Sequence, residues 1–394
     1  MLLQSSRLTL LIFLSVLVIT SCNNDSDPDP GPGLTGNSET YTLIVPGSPG
    51  GTSTIKFEER TDNSTVITIA MMGASGGHPV HIHANTASEG GGIVLDLAEV
   101  DAAGASVTEV TELNDATAIT YTELVTFDGY VNVHNSASDL GTLIAQADIG
   151  QNALTGNAEL YNLFEAKVAG ISGEAIFFER INGETLVIVD LEGTTAGGDH
   201  PAHIHLNTAA EGGGIAINLS NVDGESGLSF TNISQKNDMS VITYSELTAY
   251  NGYINIHNSS SDLGTLIAQG DIGQNELTGT SVEYVLNEVN TQGVTGTITF
   301  AERESGFTLV TISISGTGLV GDHAAHIHEN DVATTGGVLI SLTNVDDTGS
   351  SLTSVSQMND ASPVTYTMMI GLNGYAQVHA AGGAPLTNGN IGSN

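Results

Sequence analysis

One short pattern constrains this chain more than any other. It reads His78-Pro-Val-His-Ile-His83, and it recurs as His200-Pro-Ala-His-Ile-His205 and His323-Ala-Ala-His-Ile-His328. Each copy is answered downstream by a histidine in a Gly-Tyr-x-x-x-His setting: His134, His257 and His379. These positions account for all 12 histidines of the chain. Two further markers keep the same register, a Phe-x-Glu-Arg ending at Arg60, Arg180 and Arg303, and an Asn-Asp at 114–115, 237–238 and 359–360. The body is therefore a threefold repeat of about 120 residues, long enough for each copy to be a domain rather than a solenoid unit. The copies span 39–158, 159–282 and 283–394, behind a leader at 1–21 and a tether at 22–38.

Inside a copy the hydrophobic pattern alternates with the period of strands, and turn residues punctuate it at regular intervals. In the first copy, strands are predicted near 41–45, 53–60, 65–72, 80–85, 92–100, 106–111, 118–125, 129–134 and 141–149. No stretch carries a helical stripe. With 48 glycines and 5% aromatics, the composition agrees with many short strands joined by tight turns. The expected fold is all-β, with three tandem Greek-key β-sandwich or flattened-barrel domains. The last copy closes on Gly382-Gly-Ala-Pro-Leu where the others have Leu143-Ile-Ala-Gln and Leu266-Ile-Ala-Gln, so its final strand should be shorter.

Alternation also says where the histidines point. In Val80-His-Ile-His83 the apolar residues share one face, which leaves His81 and His83 on the other. In Tyr130-Val-Asn-Val-His134 the valines take one face, and Tyr130, Asn132 and His134 the opposite one. If the two strands are neighbours, three imidazoles converge. His81, His83 and His134 form the first candidate trio; His203, His205 and His257 the second; His326, His328 and His379 the third. Imidazole nitrogens at i and i+2 plus one from another strand suit copper or zinc, one ion per copy. A hydrogen-bonded polar patch that ties loops to the sheet is the competing reading. His78, His200 and His323 sit at an odd offset and read as groups that pin loops or support the ligands.

The N-terminus reads as an address. Arg7 precedes an apolar run from Leu8 to Ile19, and then comes Ile19-Thr-Ser-Cys22, which resembles a bacterial lipobox. Cys22 is the only cysteine, so no disulfide or thiolate metal site exists beyond it. Lipidation at Cys22 implies a membrane partner through an N-terminal lipid anchor. The acidic Pro-rich stretch after it is similar to surface-export signals of bacterial lipoproteins. The expected location is the outer membrane, exposed at the surface, with the periplasmic face as the alternative. Lys plus Arg number 7 against 44 Asp plus Glu, which excludes nucleic acid and anionic lipid headgroups as partners because both require a basic footprint.

Two family resemblances follow from these motifs. His-x-x-His-Ile-His, the Gly-Gly strand, Gly-Tyr-x-x-x-His and Gly-Thr-Leu-Ile-Ala-Gln-x-Asp-Ile-Gly together resemble the chordin-type (CHRD) domain over nearly all of 39–394. That resemblance implies an extracellular β-rich module without a settled enzymatic activity. More narrowly, His-x-x-His-x-His with a distant Val-His is similar to the copper-ligand pattern of copper–zinc superoxide dismutases, a Greek-key barrel family. It would make His81, His83 and His134, with their counterparts, three copper ligands. The departures are the missing bridging histidine, zinc loop and disulfide, and the scarcity of cations to guide an anion. The leading expectation is a non-catalytic envelope or interaction module with an unknown envelope or extracellular ligand. The alternative is a copper or zinc binder, with dismutase activity as its extension.

Overall fold

The computed structural model describes residues 31–44, 53–289, 293–316 and 319–394. The leader, Cys22 and the first part of the tether lie outside the described residues. By contact density the chain divides into two compact units. One holds the first repeat up to Glu159 together with Phe177–Val187 and Phe230–Ser234; the other holds Leu160–Ile176, Ile188–Ser229 and Gln235–Asn394.

The first repeat runs β1 (Leu34–Thr42), β2 (Thr54–Arg60), β3 (Thr65–Ala70), β4 (His78–Ala84), β5 (Ile93–Val100), β6 (Ala105–Val110), α1 (Tyr121–Leu124), β7 (Asp128–Ser136) and β8 (Asp139–Gly150). The second runs β9 (Leu154–Glu165), β10 (Ser172–Arg180), β11 (Thr185–Glu192), β12 (Asp199–Leu206), β13 (Ile215–Asp223), β14 (Leu228–Ile233), α2 (Tyr244–Leu247), β15 (Asn251–Ser259) and β16 (Asp262–Gly273). The third runs β17 (Leu277–Glu288), β18 (Thr295–Arg303), β19 (Thr308–Ser315), β20 (His323–Glu329), β21 (Val338–Val345), β22 (Ser350–Val355), α3 (Tyr366–Met369), β23 (Asn373–His379) and β24 (Pro385–Gly392). The last closing strand has 8 residues where β8 and β16 have 12 each, as its sequence predicts.

Each repeat is a β-sandwich. In the first, two four-stranded sheets have the orders β1-β2-β3-β6 and β5-β4-β7-β8. In the second and third, the corresponding halves run together as β13-β12-β15-β16-β9-β10-β11-β14 and β21-β20-β23-β24-β17-β18-β19-β22. The seam is short: Ala268 and Gln269 pair with Glu165 and Phe164 in the second repeat. Asn388 and Thr387 pair with Asn287 and Glu288 in the third. In the first, a single bridge between Ile44 and Gln146 stands there. Joining the halves along one edge gives the sandwich a barrel-like side. The chain leaves one half after β3, makes the β4–β5 pair in the other, and returns as β6 beside β3.

Two stretches differ from the sequence-based expectation. The first strand opens at Leu34, inside the stretch read as tether, because Leu34 and Ser38 pair with Arg60 and Glu58 and because Thr35 and Asn37 both hydrogen-bond to the Glu59 carboxylate. Beyond Leu34 its exposed side chains are polar, so it carries no apolar alternation to betray it. The segment 118–125, read as a strand, instead contains α1. There Thr120 accepts from the Glu123 amide while the Glu123 side chain accepts from the Thr120 amide. This reciprocal cap fixes a helical turn that an alternation count does not detect.

Period-two alternation builds the core. Ile55 and Phe57 of β2, Ile67 and Ile69 of β3, Val80 and Ile82 of β4, and Val131 and Val133 of β7 pack in one apolar cluster between the two sheets. Ile298, Phe300, Ile327 and Val378 belong to the equivalent cluster in the third repeat. Fully burying each such side chain contributes about 1.5–3 kcal/mol. Truncation of Ile82, which is 0% exposed, to alanine is expected to destabilise the first repeat by about 3 kcal/mol, whereas Val107→Thr at a position 60% exposed should cost under about 0.5 kcal/mol. Thermal unfolding of the two variants against the parent protein checks the contrast.

Candidate metal centre

β4 pairs antiparallel with β7 so that His81 stands opposite Asn132 and His83 opposite Tyr130. Since Val80, Ile82, Val131 and Val133 face the core, the histidines and Tyr130 must project from the other face of the sheet. His134 lies at an irregularity where its pairing with β8 shifts register. β12 with β15 and β20 with β23 repeat this arrangement, with His203 opposite Asn255 and His326 opposite Gln377.

All three trios form. In each of the sets His81/His83/His134, His203/His205/His257 and His326/His328/His379, one nitrogen per ring lies within 4.8 Å of the other two, so each set can hold a metal ion. The outward face is nevertheless not wet. His83, His134, His205, His257 and His328 are all buried, at 5 to 9% exposure, and within the trios only His81, His203, His326 and His379 keep an open edge. Loops provide the cover. His83 Nδ1 donates to the Gly91 carbonyl at 2.9 Å, His205 Nδ1 to Gly213 at 2.9 Å and His328 Nδ1 to Gly336 at 3.1 Å. His134 Nδ1 donates to Leu140 at 2.6 Å, His257 to Leu263 at 2.7 Å and His379 to Gly383 at 3.0 Å.

These bonds decide the tautomer. With Nδ1 donating to a carbonyl, Nε2 carries the lone pair and faces the middle of the trio. His83 Nε2, His205 Nε2, His257 Nε2 and His328 Nε2 are buried without a hydrogen-bond partner, as are His203 Nδ1 and His326 Nδ1. A polar patch built to tie loops down would have satisfied those atoms, because a buried unpaired polar atom costs about 1–3 kcal/mol. In the first trio the rings of His81 and His134 partner each other, His81 Nδ1 donating to His134 Nε2 at 3.0 Å. Nitrogens bound about 2.0 Å from one ion stand roughly 3 Å apart, so this pair already has ligand spacing. The donor set is thus one Nδ1 and two Nε2 atoms per centre.

The supporting residues were only partly legible in the sequence. Tyr130, Tyr253 and Tyr375 stack on His83, His205 and His328 with centroids 4.8, 5.0 and 4.8 Å apart. The hydroxyls of Tyr130 and Tyr253 accept from the Gly91 and Gly213 amides, each at 3.1 Å. The Gly-Tyr of each Gly-Tyr-x-x-x-His was the available signal. Gly91 itself is obligatory, since a Cβ there would lie 1.9 Å from the Ala84 carbonyl oxygen. Asp96 pairs in register with His81 and places Oδ1 3.7 Å from His81 Nε2, whereas Asn218 and Ser341 hold the corresponding positions beside His203 and His326. In the third centre the Gln377 amide lies 3.2 Å from His379 Nε2.

His78, His200 and His323 stand outside the trios. Each Nδ1 donates to a carbonyl at the end of the strand that carries the distal histidine: Asn135 at 2.8 Å, Asn258 at 2.8 Å and His379 at 3.1 Å. The in-register carboxylates are occupied by their own turns. Asp115, Asp238 and Asp360 accept from the amides of Thr117, Ser240 and Ser362. The arginines form ion pairs: Arg60 with Glu109, Arg180 with Asp148 and Arg303 with Asp271. Arg180 and Arg303 are 0% and 1% exposed, so neither presents a free positive charge to an incoming anion. No family model matches the chain, and no curated protein or solved structure matches it.

Burial, and then the neighbouring imidazoles, hold His203, His205 and His326 below the ordinary histidine value of 6.5; for His205 the bond to Gly213 partly offsets this. His81 is lowered by the same causes, with Asp96 partly opposing them. The unfolded chain therefore binds more protons than the folded one between that value and the lowered ones. Stability in the metal-free state should be full above about pH 6.5 and fall as acidification passes through the folded values. Thermal midpoints measured from neutral to mildly acidic pH should show the decline, and His203→Gln should flatten it.

Proposed function

We propose that the protein binds a late first-row transition ion in each of its three repeats, at His81/His83/His134, His203/His205/His257 and His326/His328/His379. The observation that carries this reading is the convergence of one nitrogen from each of three rings in every repeat, complete in the second trio, where His203 Nδ1, His205 Nε2 and His257 Nε2 are all buried without partners. Copper fits the donor set best. Three neutral imidazoles suit copper and zinc alike, and the divalent affinity order places copper above zinc for a given nitrogen site. Lowered histidine values also keep the lone pairs free at mildly acidic pH, where protons otherwise compete with the ion. Bound copper would supply a redox-active centre.

The chain's own residues hold and shield the ion. The carbonyls of Gly91 and Leu140 fix the ring orientations of His83 and His134, Tyr130 covers one imidazole face, and the loop after β4 excludes water. The ligand trio is what the resemblance to copper–zinc dismutases implies, but the cations are not. With a formal net charge of −37, and with Arg180 and Arg303 spent in buried ion pairs, the protein attracts cations rather than superoxide. The proposal accordingly stops at metal binding. We place this activity at the cell envelope, tethered through a lipid on Cys22, on the strength of the apolar leader and lipobox-like Ile19-Thr-Ser-Cys22.

Copper(II) titration of the full, lipid-free chain tests it. Uptake should saturate near three equivalents, one per trio, and His83→Ala, His205→Ala and His328→Ala should each remove about one equivalent while circular dichroism shows the β fold retained. A folded chain that takes up neither copper nor zinc would leave only the non-catalytic envelope module of CHRD-like repeats.

A further inference from the structure

The loop that orients His83 is itself held from the neighbouring repeat. Asp148 Oδ1 accepts from the Ala87 amide at 2.7 Å, and its other oxygen accepts from Arg180 Nη1 at 2.8 Å. Asn152 Nδ2 donates to the Asn85 carbonyl at 3.0 Å and to Asp128 at 2.8 Å, while the Asn152 carbonyl accepts from the same Arg180 nitrogen. Arg180 Nε donates to Asn232 at 2.7 Å. One buried guanidinium, carried on β10 of the second repeat, thus fixes two residues that each grip the loop 85–91 of the first.

The arrangement recurs once. Asp271 accepts from the Ala209 amide and from Arg303 Nη1, each at 2.7 Å. Asn275 Nδ2 donates to the Asn207 carbonyl at 2.9 Å, and its own carbonyl accepts from Arg303. The third repeat keeps the asparagine grip, Asn394 Nδ2 donating to the Asn330 and Gly374 carbonyls at 2.8 Å each, but differs at the charged pair. Asn390 stands where Asp148 and Asp271 stand, and it accepts from the Val332 amide at 3.0 Å. Among the described residues no arginine reaches it, for the remaining one, Arg60, bonds to Pro32 and Glu109.

We infer that Arg180 and Arg303 are positioning residues for the metal centre of the repeat before their own, so that the first two centres are braced by a buried guanidinium while, among the described residues, the third rests on Asn390 and Asn394 alone. The inference rests on the metal-binding reading above. The route is short. Arg303 fixes Asp271 and Asn275, these hold the loop 207–213 at Asn207 and Ala209, and the Gly213 carbonyl at its end receives His205 Nδ1. Ligand orientation by such outer partners is commonly worth about 10- to 100-fold in metal affinity. The third trio should therefore be the weakest in the parent protein. A looser grip there also agrees with the Gln377 amide lying against His379.

The test converts the second clasp into the form found in the third repeat. In a full chain that keeps only the second trio, with His81, His83, His326 and His328 changed to alanine, the double variant Arg303→Met with Asp271→Asn keeps an acceptor for the Ala209 amide and leaves no unpaired charge. Copper(II) titration against a competing chelator should show its Kd raised about tenfold or more, with an altered copper(II) electron paramagnetic resonance spectrum. The same pair of changes in a chain that keeps only the first trio should leave both unchanged, because Arg180 serves that centre; a general loss of folding would weaken both. An unchanged Kd at the second trio, or equal losses at the two, overturns the inference while metal binding stands. Absence of copper uptake by the parent chains overturns the binding reading and the clasp together.

Discussion

Everything at the candidate centres depends on the antiparallel pairing of β4 with β7 and of its counterparts β12 with β15 and β20 with β23. Strand alternation gives each of these ribbons two unlike faces. One is aliphatic and fills the sandwich; the other presents imidazoles from two strands at neighbouring positions. A slip of one residue would exchange the faces, burying His81 and exposing Val80 and Ile82, at a cost of several kcal/mol in lost apolar burial. The hydrophobic core thus sets the spacing of the ligand nitrogens, and no separate device is needed to align the strands.

The covering loops complete what the ribbon begins. Backbone carbonyls from Gly91 and Leu140 select one tautomer and one ring orientation, so the free lone pairs already face inward. Holding such atoms buried and unpaired is destabilising, and the sandwich must offset it in each copy. This recurrent cost is the physical argument for a ligand. The same cost raises the proton sensitivity of the metal-free fold, because charging the ring edges requires water that the loops exclude.

Much of this was legible in the residues. Alternation in Val80-His-Ile-His83 and Tyr130-Val-Asn-Val-His134 was sufficient to say which side chains share a face; that the two strands are neighbours came from the fold. Two strand boundaries were not legible, for identifiable reasons. β1 is polar along its outer length and is recognised only through its partner β2. The 118–125 segment alternates like a strand, yet the local Thr120–Glu123 cap decides it as a helical turn. The sequence marks Arg180 and Arg303 by register alone and does not say what they pair with. Their true partners are 32 residues back, in the preceding repeat, and nothing in local pattern points across such a distance.

The arginine–aspartate contacts run in one direction, and that restricts where the third copy can stand. Arg180 and Arg303 each reach back to an aspartate, and the third repeat offers Asn390 in that place. Were the third copy spliced ahead of the second, the buried Arg180 guanidinium would meet a neutral amide and lose its counter-ion, a defect of about 3–5 kcal/mol. Recombination among these modules is thus restricted at one position, by the charge of a single side chain.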